Sequence, residues 1–154
     1  MNRNFRTLAA RSAVFVGAAV LAGQVQAQDA APAGPMVHAQ VVGVGGKPLG
    51  MAMVQDTPAG VLVTTDIKGI PAGEHGFHFH EKGICEPGQK FTTAGGHFTG
   101  GDHKHGLMVA GGPHGGDMPN QHVGADGVLK AQVLNTGVTL AAGPKTLADA
   151  DGSA

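Results

Sequence analysis

The sequence has no tryptophan, no tyrosine, one cysteine and only 14% charged residues. A single cysteine excludes a framework of intrachain disulfides. Ten lysines and arginines face eleven acids, a formal charge of −1. That balance lacks the basic surplus of a nucleic-acid-binding domain. The apolar run from Ser12 to Gly23 is too short for a membrane span. No stretch after it sustains a helical period, which argues against a bundle. There are 27 glycines but no Gly-X-Y repeat, so a collagen-like chain is out. At 42% hydrophobic residues the chain is too apolar to be disordered. Its 154 residues suit one domain.

What the chain does have is nine histidines, and beside one cysteine they point to metal chemistry. Its three arginines, Arg3, Arg6 and Arg11, all precede the apolar run, which ends in Val25-Gln26-Ala27. A basic start, a short apolar core and a small-x-small ending predict a secretory signal peptide over residues 1–27. The protein is therefore expected to be exported. No cysteine lies near the cleavage pattern, which argues against lipid attachment. Residues 28–154 hold no arginine, seven lysines and eleven acids, a formal charge of −4. Residues 28–35, mostly Ala, Gly and Pro, read as a linker, and residues 36–154 as the domain.

That domain reads as short strands followed by one long loop. Val37, Ala39 and Val41 alternate with polar residues, and Gly45-Gly46-Lys47-Pro48 marks a turn. Leu49, Met51 and Met53 alternate in turn, and Val61, Val63, Thr65 and Ile67 form a third run of β type. Turn signals at this spacing predict an all-β antiparallel sandwich or barrel. From Glu81 to Gln121 the pattern vanishes, in 41 residues with eleven glycines. Such a loop is usually functional. It holds little that could bury itself, so metal coordination is expected to order it. The strand pattern returns at Val128 to Leu134.

Candidate ligands lie on the strand before that loop and within it. If residues 74–80 are a strand, His75, Phe77 and Phe79 share one face, and His78 and His80 the other. The two phenylalanines should point inward, which leaves His78 and His80 together on the outer face. His75 is expected to be a buried, hydrogen-bonded structural residue. The loop adds His97 behind two glycines, then His103, His105, His114 and Asp117. Three histidines and an aspartate make a closed N/O set suited to zinc. Two strand histidines and a third imidazole suit copper better than a hard ion.

The segments His75-Gly76-Phe77-His78-Phe79-His80-Glu81-Lys82-Gly83, Gly95-Gly96-His97-Phe98 and Pro113-His114-Gly115-Gly116-Asp117 resemble the bacterial copper/zinc superoxide dismutases. The steps of 8, 9 and 3 residues from His97 through His105 and His114 to Asp117 fit that family's zinc loop. The resemblance runs from about Val37 to Leu134. It implies a Greek-key β-sandwich or flattened barrel in the periplasm, converting superoxide to oxygen and hydrogen peroxide. By resemblance His78 and His80 are copper ligands, and His97 is the shared ligand and the catalytic group. His105, His114 and Asp117 complete the zinc set, with His103 as the competitor of His105. His38 and His122 are expected to be exposed strand residues. The partners implied are superoxide and, at most, a second copy in a homodimer, with no nucleic acid and no membrane.

The family continues past a Gly-Ser-Ala-like stretch into a strand with a fourth copper histidine. A charged loop with a guiding arginine, a second cysteine and a closing strand follow. The fold is therefore expected to lack C-terminal strands, and Cys85 its disulfide mate. The rival expectation is a non-catalytic periplasmic copper/zinc-binding protein, or an inactive truncated homologue.

Overall fold

The computed structural model describes residues 34–154. The expected signal peptide and most of the expected linker lie outside the described residues. Six strands form two antiparallel sheets: β1 (Met36–Val42), β2 (Pro48–Thr57), β3 (Gly60–Lys68), β4 (Gly73–His78), β5 (Asp117–Val123) and β6 (Val128–Asn135). The larger sheet runs β1-β2-β3-β6, and β4 pairs with β5 in the smaller one. After β3 the chain leaves the first sheet, builds the second and returns as β6 beside β3. The result is the all-β sandwich expected, with the sheets packed rather than closed into a barrel among the described residues.

β3 sets the inner face. Val61, Val63, Thr65 and Ile67 are buried, and their partners across β6 are Asn135, Val133, Ala131 and Leu129. With Phe98, Met118, Val138 and Leu147 they fill the space between the sheets, against Phe77 and Phe79. The buried Thr65 hydroxyl donates to Leu129 O at 3.4 Å and accepts from Ala131 N at 3.2 Å, so its polar group is satisfied.

Pairing settles the inner face of β2, which the alternation of Leu49, Met51 and Met53 left open. Val54 lies opposite Val63 and Ala52 opposite Thr65, so Gly50, Ala52 and Val54 face inward and the methionines outward. A strand apolar on both faces takes its register from its neighbour. The loop is shorter than expected, because β5 begins at Asp117. Its sequence DMPNQHV has no apolar alternation, and only Met118 and Val123 supply core side chains. Nor is the loop without buried groups, since Ala94 and Phe98 are buried.

Candidate metal centre

β4 carries the first histidines. Phe77 and Phe79 pack on the core, as expected, while His78 turns to the opposite face. Its ring lies back over Gly76, where a Cβ would come within 2.7 Å of His78 Cε1. Only glycine leaves that space. β4 ends at His78, and His80 instead forms a single bridge with His97.

Backbone bonds then tie three segments together. Phe79 N donates to Gly116 O at 3.0 Å, Phe98 N to Phe79 O at 2.8 Å, and Gly116 N to Phe98 O at 2.7 Å. A Cβ at Gly116 would strike Phe79 O at 2.7 Å, so the close approach needs glycine there. Asn135 on β6 completes the frame. It is 5% exposed, donates to Gly115 O at 2.9 Å and Asp117 O at 3.4 Å, and accepts from Gly137 N at 2.7 Å. Sequence reasoning missed Asn135, because a lone polar residue at a strand end carries no signal until its partners are known.

Asp117 is the hub of the cluster. Its side chain is 2% exposed. Oδ2 accepts from Gly106 N at 2.9 Å and His114 N at 3.0 Å. Around Oδ1 stand the Nδ1 atoms of His105 at 3.0 Å, His97 at 3.2 Å and His114 at 3.7 Å. Burial works against the ionised carboxylate. The bonds from Gly106 N, His105 and His114 N outweigh it and push the pKa down to about 2.

Those four donors fit a zinc ion. In a tetrahedral site with bonds of about 2.0–2.1 Å, neighbouring donors sit about 3.3–3.4 Å apart. The separations of 3.0, 3.2 and 3.7 Å bracket that edge. His114 Nδ1 is buried with no hydrogen-bond partner. A buried ring nitrogen left so is costly, and a cation among the four donors would satisfy it.

His78 and His80 also meet the His97 ring. The His78 ring stacks on His97, centroids 3.9 Å apart and 20° from parallel, and His80 meets His97 edge-on at 5.2 Å. His80 Nδ1 lies 3.1 Å from Gly95 O, which fixes the ring and leaves Nε2 for a metal. Burial pulls the His78 pKa below its usual range. His97, His105 and His80 push it the same way, against Asp117. A neutral imidazole is the form a metal needs.

The structure thus brings His78, His97, His105 and Asp117 to within 4.8 Å of one another, with His114 beside Asp117 and His80 beside His97. His103 is exposed and makes none of these ring contacts among the described residues. His75 is half-buried rather than buried, its Nε2 2.7 Å from Pro71 O. His122 pairs with Glu74 at 2.7 Å on the surface, and His38 is exposed on β1. Cys85 is an exposed free thiol.

A family profile described as copper/zinc superoxide dismutase matches residues 49–154. The chain is 39% identical over 135 residues to superoxide dismutase [Cu-Zn] 2 of Aquifex aeolicus, covering 87% of this chain and 75% of that one. It is 40% identical over 111 residues to superoxide dismutase [Cu-Zn] of Caulobacter vibrioides, covering 70% of this chain and 63% of that one. Among solved structures, a SOD-like protein from Bacillus subtilis superposes with a TM-score of 0.70 at 32% identity, over 75% of this chain and 78% of that one. Family profile, relatives and fold agree with the histidine–aspartate cluster: the chain belongs to the copper/zinc superoxide dismutase family.

Proposed function

We propose that this chain is a copper/zinc superoxide dismutase, turning two superoxide ions and two protons into oxygen and hydrogen peroxide. The observation that carries the reading is the place of His97, stacked on His78 at 3.9 Å with its Nδ1 3.2 Å from Asp117. His78, His80 and His97 would hold copper, and His97, His105, His114 and Asp117 would hold zinc. Copper held there would supply the one-electron couple that dismutation needs. His97 Nε2 takes up a proton and releases it toward the reduced oxygen species. Asp117 Oδ1 lies 3.2 Å from His97 Nδ1, which leaves Nε2 as the nitrogen free for copper. Gly95 O orients His80, and Gly76 leaves His78 room to lie against His97.

Free copper also dismutates superoxide, so the test compares equal total copper. Superoxide decay should be faster with the loaded protein than with a His78→Ala/His80→Ala variant. Equal rates would make the chain a metal-binding protein without this activity. Residues 28–154 carry seven lysines and eleven acids, a formal −4 that bound copper and zinc would nearly offset, so the rate should change only weakly with salt.

Export to the periplasm belongs to the same reading, supported by the basic, apolar and small-x-small order of residues 1–27. Mass spectrometry of the periplasmic fraction should find a chain beginning at Gln28. A homodimer is supported by the exposed apolar tip Leu107, Met108 and Val109, where Met108 is 98% exposed. Sedimentation should show a mass of two chains that a Met108→Lys variant loses.

A further inference from the structure

The two methionines that β2 turns outward have company. His38 lies directly opposite Met53 across the β1–β2 ladder, Gln40 opposite Met51, and Met36 opposite Gln55. Residues 36 and 38 share a strand face, as do 51 and 53, so all four side chains stand on the outer face of the larger sheet. Directly opposed Cβ atoms lie about 4.5–5.5 Å apart and diagonal ones about 7–8 Å, within reach of long thioether side chains. His38 and Met53 form the centre, and Met36 and Met51 are its two diagonal neighbours. Met36 is 44% and Met51 45% exposed, His38 is exposed, and Met53 is half-buried.

The chemistry of this set is unlike that of the metal centre. Met51, Met53 and His38 offer two thioethers and one imidazole, with no carboxylate. The acid nearest in register, Asp66 opposite Met51, is already bound to Lys130 at 3.2 Å. Soft, uncharged sulfur and imidazole donors favour cuprous copper over zinc or any hard divalent ion. β1 is an edge strand, so the site opens to solvent beside the sheet.

We propose that Met51, Met53 and His38 bind one cuprous ion on the outer sheet face, apart from the histidine–aspartate cluster. Met51-x-Met53 supplies two sulfurs from one strand and His38 the nitrogen from the next, while Met36 lies four residues along the ladder from Met51, too far to share the ion. No electron transfer is needed for binding. The site does not depend on the dismutase reading.

The test is an anaerobic titration with cuprous ion against a chromophoric cuprous chelator, on protein labelled with 13C at the methionine methyls. A Met51→Leu/Met53→Leu variant keeps apolar bulk and should fold as wild type does. Wild type should retain one more equivalent of cuprous ion than this variant. The methyl signals of Met51 and Met53 should move, while that of the buried Met118 stays. His38→Gln should weaken the extra equivalent at least tenfold. A His78→Ala/His80→Ala variant should still hold it, which separates this site from the centre. Equal stoichiometry in wild type and the leucine variant, or unmoved methyl signals, would overturn the proposal.

Discussion

Removing the Asp117 carboxylate from the metal-free protein probes the cluster's construction without relying on bound ions. In Asp117→Ala, Gly106 N and His114 N lose acceptors now at 2.9 and 3.0 Å. Each part-buried donor left unpaired costs about 1–3 kcal/mol, so the pair costs roughly 2–6 kcal/mol. The carboxyl pKa offers a second route to the size of the effect. It falls from 3.8 to about 2 on folding. At about 1.4 kcal/mol per pKa unit, that is roughly 2 kcal/mol for the ionised form. The two routes meet at the lower end, a loss of about 2 kcal/mol or more at neutral pH. Because the folded pKa is the lower one, this stability is present above pH 4 and disappears as pH falls toward 2. The difference between wild type and variant should therefore shrink over that interval. With no tryptophan or tyrosine to report by fluorescence, urea unfolding should be followed by far-ultraviolet circular dichroism. Equal midpoints at pH 7, or a difference that persists unchanged at pH 2, would refute the assignment of Asp117 as hub.

Gly76→Ala places a Cβ 2.7 Å from His78 Cε1, so copper affinity should fall about tenfold or more while zinc affinity holds; unchanged copper titration would contradict the packing argument. Asn135→Ala removes the donors that hold Gly115 and Asp117 and should cost about 1–3 kcal/mol in the metal-free protein, with faster zinc release to a chelator. A stable variant with wild-type zinc release would show the loop to be held elsewhere. Cys85 is exposed, so air-oxidised protein should show a disulfide dimer on non-reducing gels that Cys85→Ser lacks. Absence of both the dimer and thiol labelling would contradict a free thiol.

The strands whose faces differ in character were legible. Val61, Val63, Thr65 and Ile67 alternate with partly exposed or exposed residues, and β3 follows that period. Val128 to Leu134 reads the same way in β6. The inner face of β2 was not legible, because the strand offers apolar residues on both faces and pairing with β3 makes the choice. β5 was invisible because its hydrophobic partners are Phe77 on β4 and the core beyond, and its own sequence is polar and holds Pro119. At the site, histidine spacing marked His78, His80, His97, His105, His114 and Asp117 as candidates. It could not show that three Nδ1 atoms gather on one carboxylate oxygen. Nor could it show the support from Asn135, whose bonds span 20 and 18 residues. Long-range contacts of that kind are set by how the sheets pack and leave no local period.

Anomalous diffraction at the copper and zinc edges from crystals of the loaded protein tests most directly whether His97 joins two metal positions. Zinc should lie among His97, His105, His114 and Asp117, and copper against His78, His80 and the opposite nitrogen of the same His97 ring. Either ion found away from His97, or one metal occupying both positions when both are supplied in equal amounts, would contradict it.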